Sequence, residues 1–219
     1  MSLLDFARGP AIDAALAIFC LGLLWRLTSL LLLPRAKDNS VPKAGAPGAV
    51  PAAFRGFMRH MWVPEPYRRA ALFSAVNGWV FHLGLAIVVF GFAQHILFIK
   101  GLTGLSWPGL PTGVVSTVAV ITLASLLAAM TRRLTNPVLK LISTTGDYFA
   151  WLVTVLPVIT GLMAINHLLL PYETMLALHI LSVAALLIWF PFGKLMHAVL
   201  VFFTRSKTSI FHARRGVEI

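Results

Sequence analysis

The chain has 219 residues, of which 58% are hydrophobic and only 11% charged. Soluble domains carry about 25% charged residues, so the composition excludes an ordinary soluble domain. Its 18 Lys and Arg against 7 Asp and Glu give a net charge of +11. A nucleic-acid binder with that excess is polar; in so apolar a chain the charge points to basic loops on the inner side of a bilayer. The single cysteine, Cys20, excludes a disulfide framework, a thiolate zinc site and an iron–sulfur cluster held by this chain alone.

A helical span needs about 20 mostly apolar residues, and the sequence offers five. They run from Pro10 to Leu33, Leu72 to Ile99, Val114 to Met130, Tyr148 to Leu169 and Thr174 to Phe203. The first reads as a retained span rather than a signal peptide. Its basic flank is a lone Arg8 offset by Asp5 and Asp13, and no small-residue cleavage site follows. Fourteen basic residues fall in the loop 34–71, the loop around Arg132–Lys140 and the tail 204–219, against only Arg8 and Lys100 on the other side. That asymmetry predicts an external N-terminus and a cytoplasmic C-terminus. The expected fold is therefore an all-α integral membrane protein, one domain over 1–219.

Between the first two spans, residues 39–53 are rich in Pro, Ala and Gly and read as extended. Phe57, Met58, Met61 and Trp62 then interleave with Arg55 and Arg59, as in a short helix on the inner membrane surface. The basic face serves either as a collar for lipid headgroups or as a docking surface for a cytoplasmic partner.

Seven histidines are present, and four lie inside spans: His82 and His95 on the second, His179 and His197 on the fifth. An imidazole in hydrocarbon has polar atoms to satisfy, so intramembrane histidines are rare and usually functional. On one continuous helix, His179 and His197 are five whole turns apart and share a face, roughly 27 Å from one another. The second span runs the other way, so His95 matches His179 near the outer boundary and His82 matches His197 nearer the inner one. Two haem irons, each held by an imidazole from both helices, fit this pattern. The alternative is a haem-free set of interhelical hydrogen bonds or a proton path. A zinc site fits poorly, because no Cys, Asp or Glu completes a tetrahedral set.

Lys194 lies three residues before His197, on nearly the same helix face. Two readings are open: a partner for a haem propionate, or a side chain that snorkels to the inner headgroups. Pro191 and Gly193 just ahead are expected to kink the helix.

The segment Trp189-Phe190-Pro191-Phe192-Gly193-Lys194-Leu195-Met196-His197, with His179 upstream and the basic tail after it, resembles the closing motif of a known family. This is the membrane cytochrome b (gamma) subunit of respiratory nitrate reductase, with its relatives in sulfite-reduction-type complexes. Phe81-His82-Leu83-Gly84 is similar to that family's Phe-His-x-Gly element, and five spans with an external N-terminus agree. One departure stands out. The family's second-span histidines lie closer together, and Phe92 occupies the position expected for the second, so His95 is the next candidate. Thirteen residues rotate a regular helix by about 220°, aiming the two imidazoles apart unless a bulge near Gly91 or a helix tilt corrects it. The pair His82–His197 is thus the firmer assignment, and one haem instead of two stays open.

The resemblance implies a subunit of a quinol-dependent respiratory oxidoreductase in a bacterial or archaeal cytoplasmic membrane. Its cofactors are haem b, held by His82, His197, His95 and His179 with Lys194 beside it, and a quinone or quinol. Its partners are a cytoplasmic iron–sulfur subunit, a catalytic subunit that performs the terminal chemistry, and membrane lipid, with no nucleic acid and no catalytic residue in this chain. A heterodisulfide-reductase-type membrane subunit is the nearest alternative within the class. Outside the class the alternative is a haem-free anchor or transporter.

Overall fold

The structure, a computed structural model, describes residues 1–34 and 38–217. Arg35 and Lys37, two of the basic residues assigned to the inner loop, lie outside the described residues. The regular elements among the described residues are all helices, without a strand. The first helix, α1 (Leu3–Leu32), opens on a capping box between Ser2 and Asp5 and widens to a π-turn around Pro10. Then come α2 (Ala49–Arg59), α3 (Arg68–Gly91), α4 (Ala93–Thr103), α5 (Thr112–Thr135), the short α6 (Pro137–Ile142), α7 (Thr145–Ile165), α8 (Tyr172–Trp189) and α9 (His197–Arg214). Five of these segments, ending at Leu32, Gly91, Thr135, Ile165 and Trp189, are long and apolar enough to cross a membrane.

The spanning helices pack in series: α3 on α5, α5 on α7, α7 on α8, and α8 on α1. Small residues allow the close approaches, as is usual where lipid supplies no hydrophobic drive. Ile12 and Ala15 of α1 meet Ala184 of α8. Leu126, Val155 and Val158 form a second cluster against Phe81, Leu85 and Trp151. Asn77 and Ser125 tie α3 to α5: the Asn77 amide donates to the Ser125 carbonyl (3.1 Å) and the Ser125 hydroxyl to Asn77 Oδ1 (2.9 Å). Gly84 is buried against Thr122, and a Cβ there would overlap the Thr122 hydroxyl. Gly84→Val is therefore expected to destabilise the α3–α5 pair by about 1–3 kcal/mol, read as a lower unfolding midpoint in detergent. An unchanged midpoint would mean that the contact is slack.

Two predicted spans are interrupted. The sequence suggests one helix from Leu72 to Ile99, but Phe92 is extended (φ −80°, ψ 126°) and separates α3 from α4. An interruption at membrane depth is tolerated only where the freed carbonyls find donors. They do: Val88 O accepts from His95 Nδ1 (3.0 Å), Phe90 O from the Trp107 indole (2.6 Å) and Gly91 O from Leu110 N (2.8 Å). The outer loop comes this close because Gly91 has no side chain; a Cβ would meet Leu110 Cδ1 at 2.8 Å. The second correction concerns the span from Thr174 to Phe203. Here α8 stops at Trp189 and α9 begins at His197, with a turn and a 3-10 segment, Lys194–Met196, between them. Pro191 cannot donate to the helix ladder, and Gly193 sits where a Cβ would overlap the Trp189 indole.

The helix α2 packs along α9, which places the loop and the C-terminal tail on one side of the molecule. Gly56 abuts Ser209, Phe57 stacks on Phe202 with centroids 5.4 Å apart, and Arg205 Nη1 donates to the carbonyl of His60 (2.8 Å). His60 is half-buried at the end of α2 with its Nδ1 on Gly56 O. Asp38 closes the loop onto the tail. Hydrogen bonds from Ser40, with Arg215 and Arg214 beside it, hold its carboxyl below the usual carboxylate range.

Candidate functional site

The helix series leaves α3 and α8 on either side of an interior space floored by α5 and α7. Among the described residues α3 and α8 do not pack directly on each other. What spans the space is histidine. The rings of His82 (α3) and His197 (first residue of α9) have centroids 6.1 Å apart at 90° to one another. The rings of His95 (α4) and His179 (α8) are also 6.1 Å apart, but only 19° from parallel. The structure thus brings together the residues that sequence reasoning paired, by a different route. His179 and His197 are on separate helices, so the five-turn register does not apply, and the break at Phe92 replaces the regular rotation between His82 and His95.

The second ring nitrogens explain the orientations. His82 Nδ1 donates to Gly78 O (2.7 Å), His197 Nδ1 to Lys194 O (2.8 Å) and His95 Nδ1 to Val88 O (3.0 Å). A carbonyl accepts only, so these three rings carry the proton on Nδ1 and keep the Nε2 lone pair. His179 Nδ1 lies 3.3 Å from the Thr160 hydroxyl, which itself donates to Leu156 O. Ligating histidines are usually fixed in this way, with the other ring N–H on a backbone or side-chain acceptor.

Two cavities lie between the helices. The larger, about 370 Å³, is lined by Phe81, Leu126 and Trp151 and by Arg132, Arg133 and Asp147. Neither His82 nor His197 lines it, but Gly78, whose carbonyl His82 bonds, does. The outer cavity, about 50 Å³, has His95 and His179 in its wall with Phe92, Val158 and Gly161. Gly161 is required there: a Cβ would meet His179 Cε1 at 3.0 Å. His82 and His197 are exposed in their groove, whereas His95 and His179 are half-buried.

Lys194 has a partner that the sequence reading did not name. Its Nζ donates to Asp147 Oδ2 at 2.6 Å, and Arg133 reaches Oδ1 of the same carboxylate at 3.5 Å. Sequence reasoning missed Asp147, Arg132, Arg133 and Thr160. The signal for Asp147 was available, since Thr144-x-x-Asp147 is a capping box at the mouth of a span. His167 lies exposed outside both pairs, in the left-handed region (φ 53°), against Tyr172.

Among the described residues, no group of three or more His, Cys, Asp or Glu gathers. Two facing imidazoles suit an ion whose other ligands arrive with it, as an iron already held in a plane of four nitrogens does.

No family model matches the chain, and no solved structure does. One similar protein, from Nitratidesulfovibrio vulgaris, is 30% identical over 226 residues, covering 96% of this chain and 94% of that one. Its name says only "Protein".

Proposed function

We propose that this chain, which belongs to one family with the Nitratidesulfovibrio vulgaris protein, is the cytochrome b subunit of a quinol-linked membrane oxidoreductase. The observation that carries the proposal is the paired histidine geometry. Two imidazole nitrogens about 2 Å from a shared metal put their ring centroids about 6 Å apart, because each centroid lies a little over 1 Å behind its nitrogen. Both pairs have that separation, at 6.1 Å. The interplanar angles, 90° and 19°, are both compatible with it, since each ring turns freely about its metal–nitrogen axis.

The residues present fit haem b. His82 and His197 hold the inner group, and His95 and His179 the outer. Arg132, which lines the neighbouring cavity, suits a propionate better than Lys194 or Arg133, both of which Asp147 engages. The outer cavity is tighter, about 50 Å³, so Phe92 and Leu162 would have to move for His95 and His179 to hold a haem. When bound, such groups supply one-electron redox steps at two depths of the membrane. The protein's share is to fix ligand tautomer through the Nδ1 bonds, keep water from the outer pair, and present a basic inner face built from α2 and α9. That face suits a cytoplasmic iron–sulfur partner, with the N-terminus outside. The resemblance to the nitrate reductase gamma subunit supports quinol as the electron source or sink.

The test is to add a soluble quinol analogue to the purified, oxidised protein. The proposal predicts that b-type absorption bands appear reduced without dithionite. Bands that dithionite reduces and the quinol leaves oxidised would contradict the quinol link.

A further inference from the structure

Asp147 stands in the first turn of α7, where Thr144 caps the helix. Thr144 donates both its backbone N–H and its hydroxyl to Asp147 Oδ2, each at 2.9 Å. Arg133 approaches the other oxygen, and Lys194 closes on Oδ2 at 2.6 Å while also touching Thr144 Oγ1 at 3.3 Å. The carboxylate is largely enclosed, with 13% of its side chain exposed, whereas the Lys194 side chain is 56% exposed. Lys194 opens the 3-10 turn that joins α8 to α9, and its carbonyl accepts the Nδ1–H of His197 at 2.8 Å. One residue is therefore gripped twice: its ammonium by α7, its carbonyl by the imidazole. Within the turn the Gly193 N–H bonds Trp189 O (2.9 Å) and the Met196 N–H bonds Gly193 O (3.3 Å), and neither bond reaches the His197 ring. Met196, 1% exposed, anchors the turn by burial but makes no bond to the ring.

We infer that Asp147, acting through Lys194, is a positioning residue for His197, setting the orientation of the inner ligand from the neighbouring helix. The inference rests on the haem reading above and assigns a role to an ion pair that the reading does not need. Lys194 is more than half exposed, so Lys194→Met disturbs the fold little, whereas Asp147 also meets the Thr144 cap and Arg133; the effect common to both variants is the positioning effect.

The test uses the purified, haem-loaded full chain, with the wild-type haem content read first. Absence of haem at that stage overturns the haem reading and this inference with it. Asp147→Asn keeps an acceptor for the Thr144 cap, Lys194→Met removes the ammonium, and Lys194→Arg restores a cation. The readouts are the low-spin ferric resonance and midpoint potential of the inner haem, identified by its loss in His197→Ala, with the outer haem as internal control. Both Asp147→Asn and Lys194→Met are expected to alter the inner resonance alike and to weaken inner-haem retention about 10-fold, the usual scale for losing a group that orients a ligand. Lys194→Arg is expected to restore both, and the outer haem to stay unchanged. An unchanged resonance, with potentials moving oppositely when the negative and positive charges are removed, would reduce the pair to a local field and overturn the inference. No change in either readout would also overturn it.

Discussion

Replacing His197 by alanine is expected to halve the haem content of the purified protein, from two per chain to one, and His82→Ala to do the same. Both imidazoles are exposed in the groove rather than packed in a core, and His197 is the first residue of its helix, so the loss falls on the ligand and not on the fold. His82→Ala removes the side-chain bond on Gly78 O, which stays within the helix ladder of α3, and His197→Ala removes the one on Lys194 O. Haemochrome quantitation checks this. Full haem content in both variants would show that the inner pair is not the ligand set.

Gly161→Val is expected to remove the outer haem alone. A single added carbon already meets the His179 ring at 3.0 Å from Cε1 and 3.2 Å from Nδ1, and a valine adds two methyl groups beyond it. Movement of the ring away from α7 would lengthen its contact to Thr160, whose hydroxyl also meets Ser182 Oγ at 3.1 Å. The variant should also cost about 1–3 kcal/mol from overpacking α7 on α8. A spectrum with one haem, whose potential matches the inner haem of the parent, is the expected result. Two haems with unshifted potentials would mean that His179 does not ligate.

The five apolar segments were legible because lipid imposes both length and composition on a span. The internal geometry of two of them was not. The spacing of His82 and His95 pointed to a bulge near Gly91, but not to a full stop, since the donors that permit it, the Trp107 indole and Leu110 N, come from a loop over fifteen residues away. The second break was half legible: Pro191 and Gly193 promised a kink, but the turn before His197 depends on Gly22 of α1 giving room to Pro191. That turn overturns the argument that His179 and His197 share a helix face, although the rings that argument paired do meet.

The ion pair shows the opposite case. Lys194 was read by its neighbour in sequence, His197, while its partner lies on another helix 47 residues earlier. A charged residue at the end of a span takes whichever opposite charge the packing brings, and only the packing of α7 against the 3-10 turn reveals Asp147. The same holds for Arg132 and Arg133, which composition assigns to a basic loop. The fold sets them in the wall of the larger cavity.

A dithionite-reduced-minus-oxidised spectrum with pyridine haemochrome quantitation, on protein purified with its partners, tests the central claim most directly. The account predicts two b-type haems per chain, one for each 6.1 Å histidine pair. One haem would keep the inner pair and remove His95 and His179 from the ligand set. Protein without haem would contradict the cytochrome reading and leave the four histidines as a haem-free polar path through the membrane.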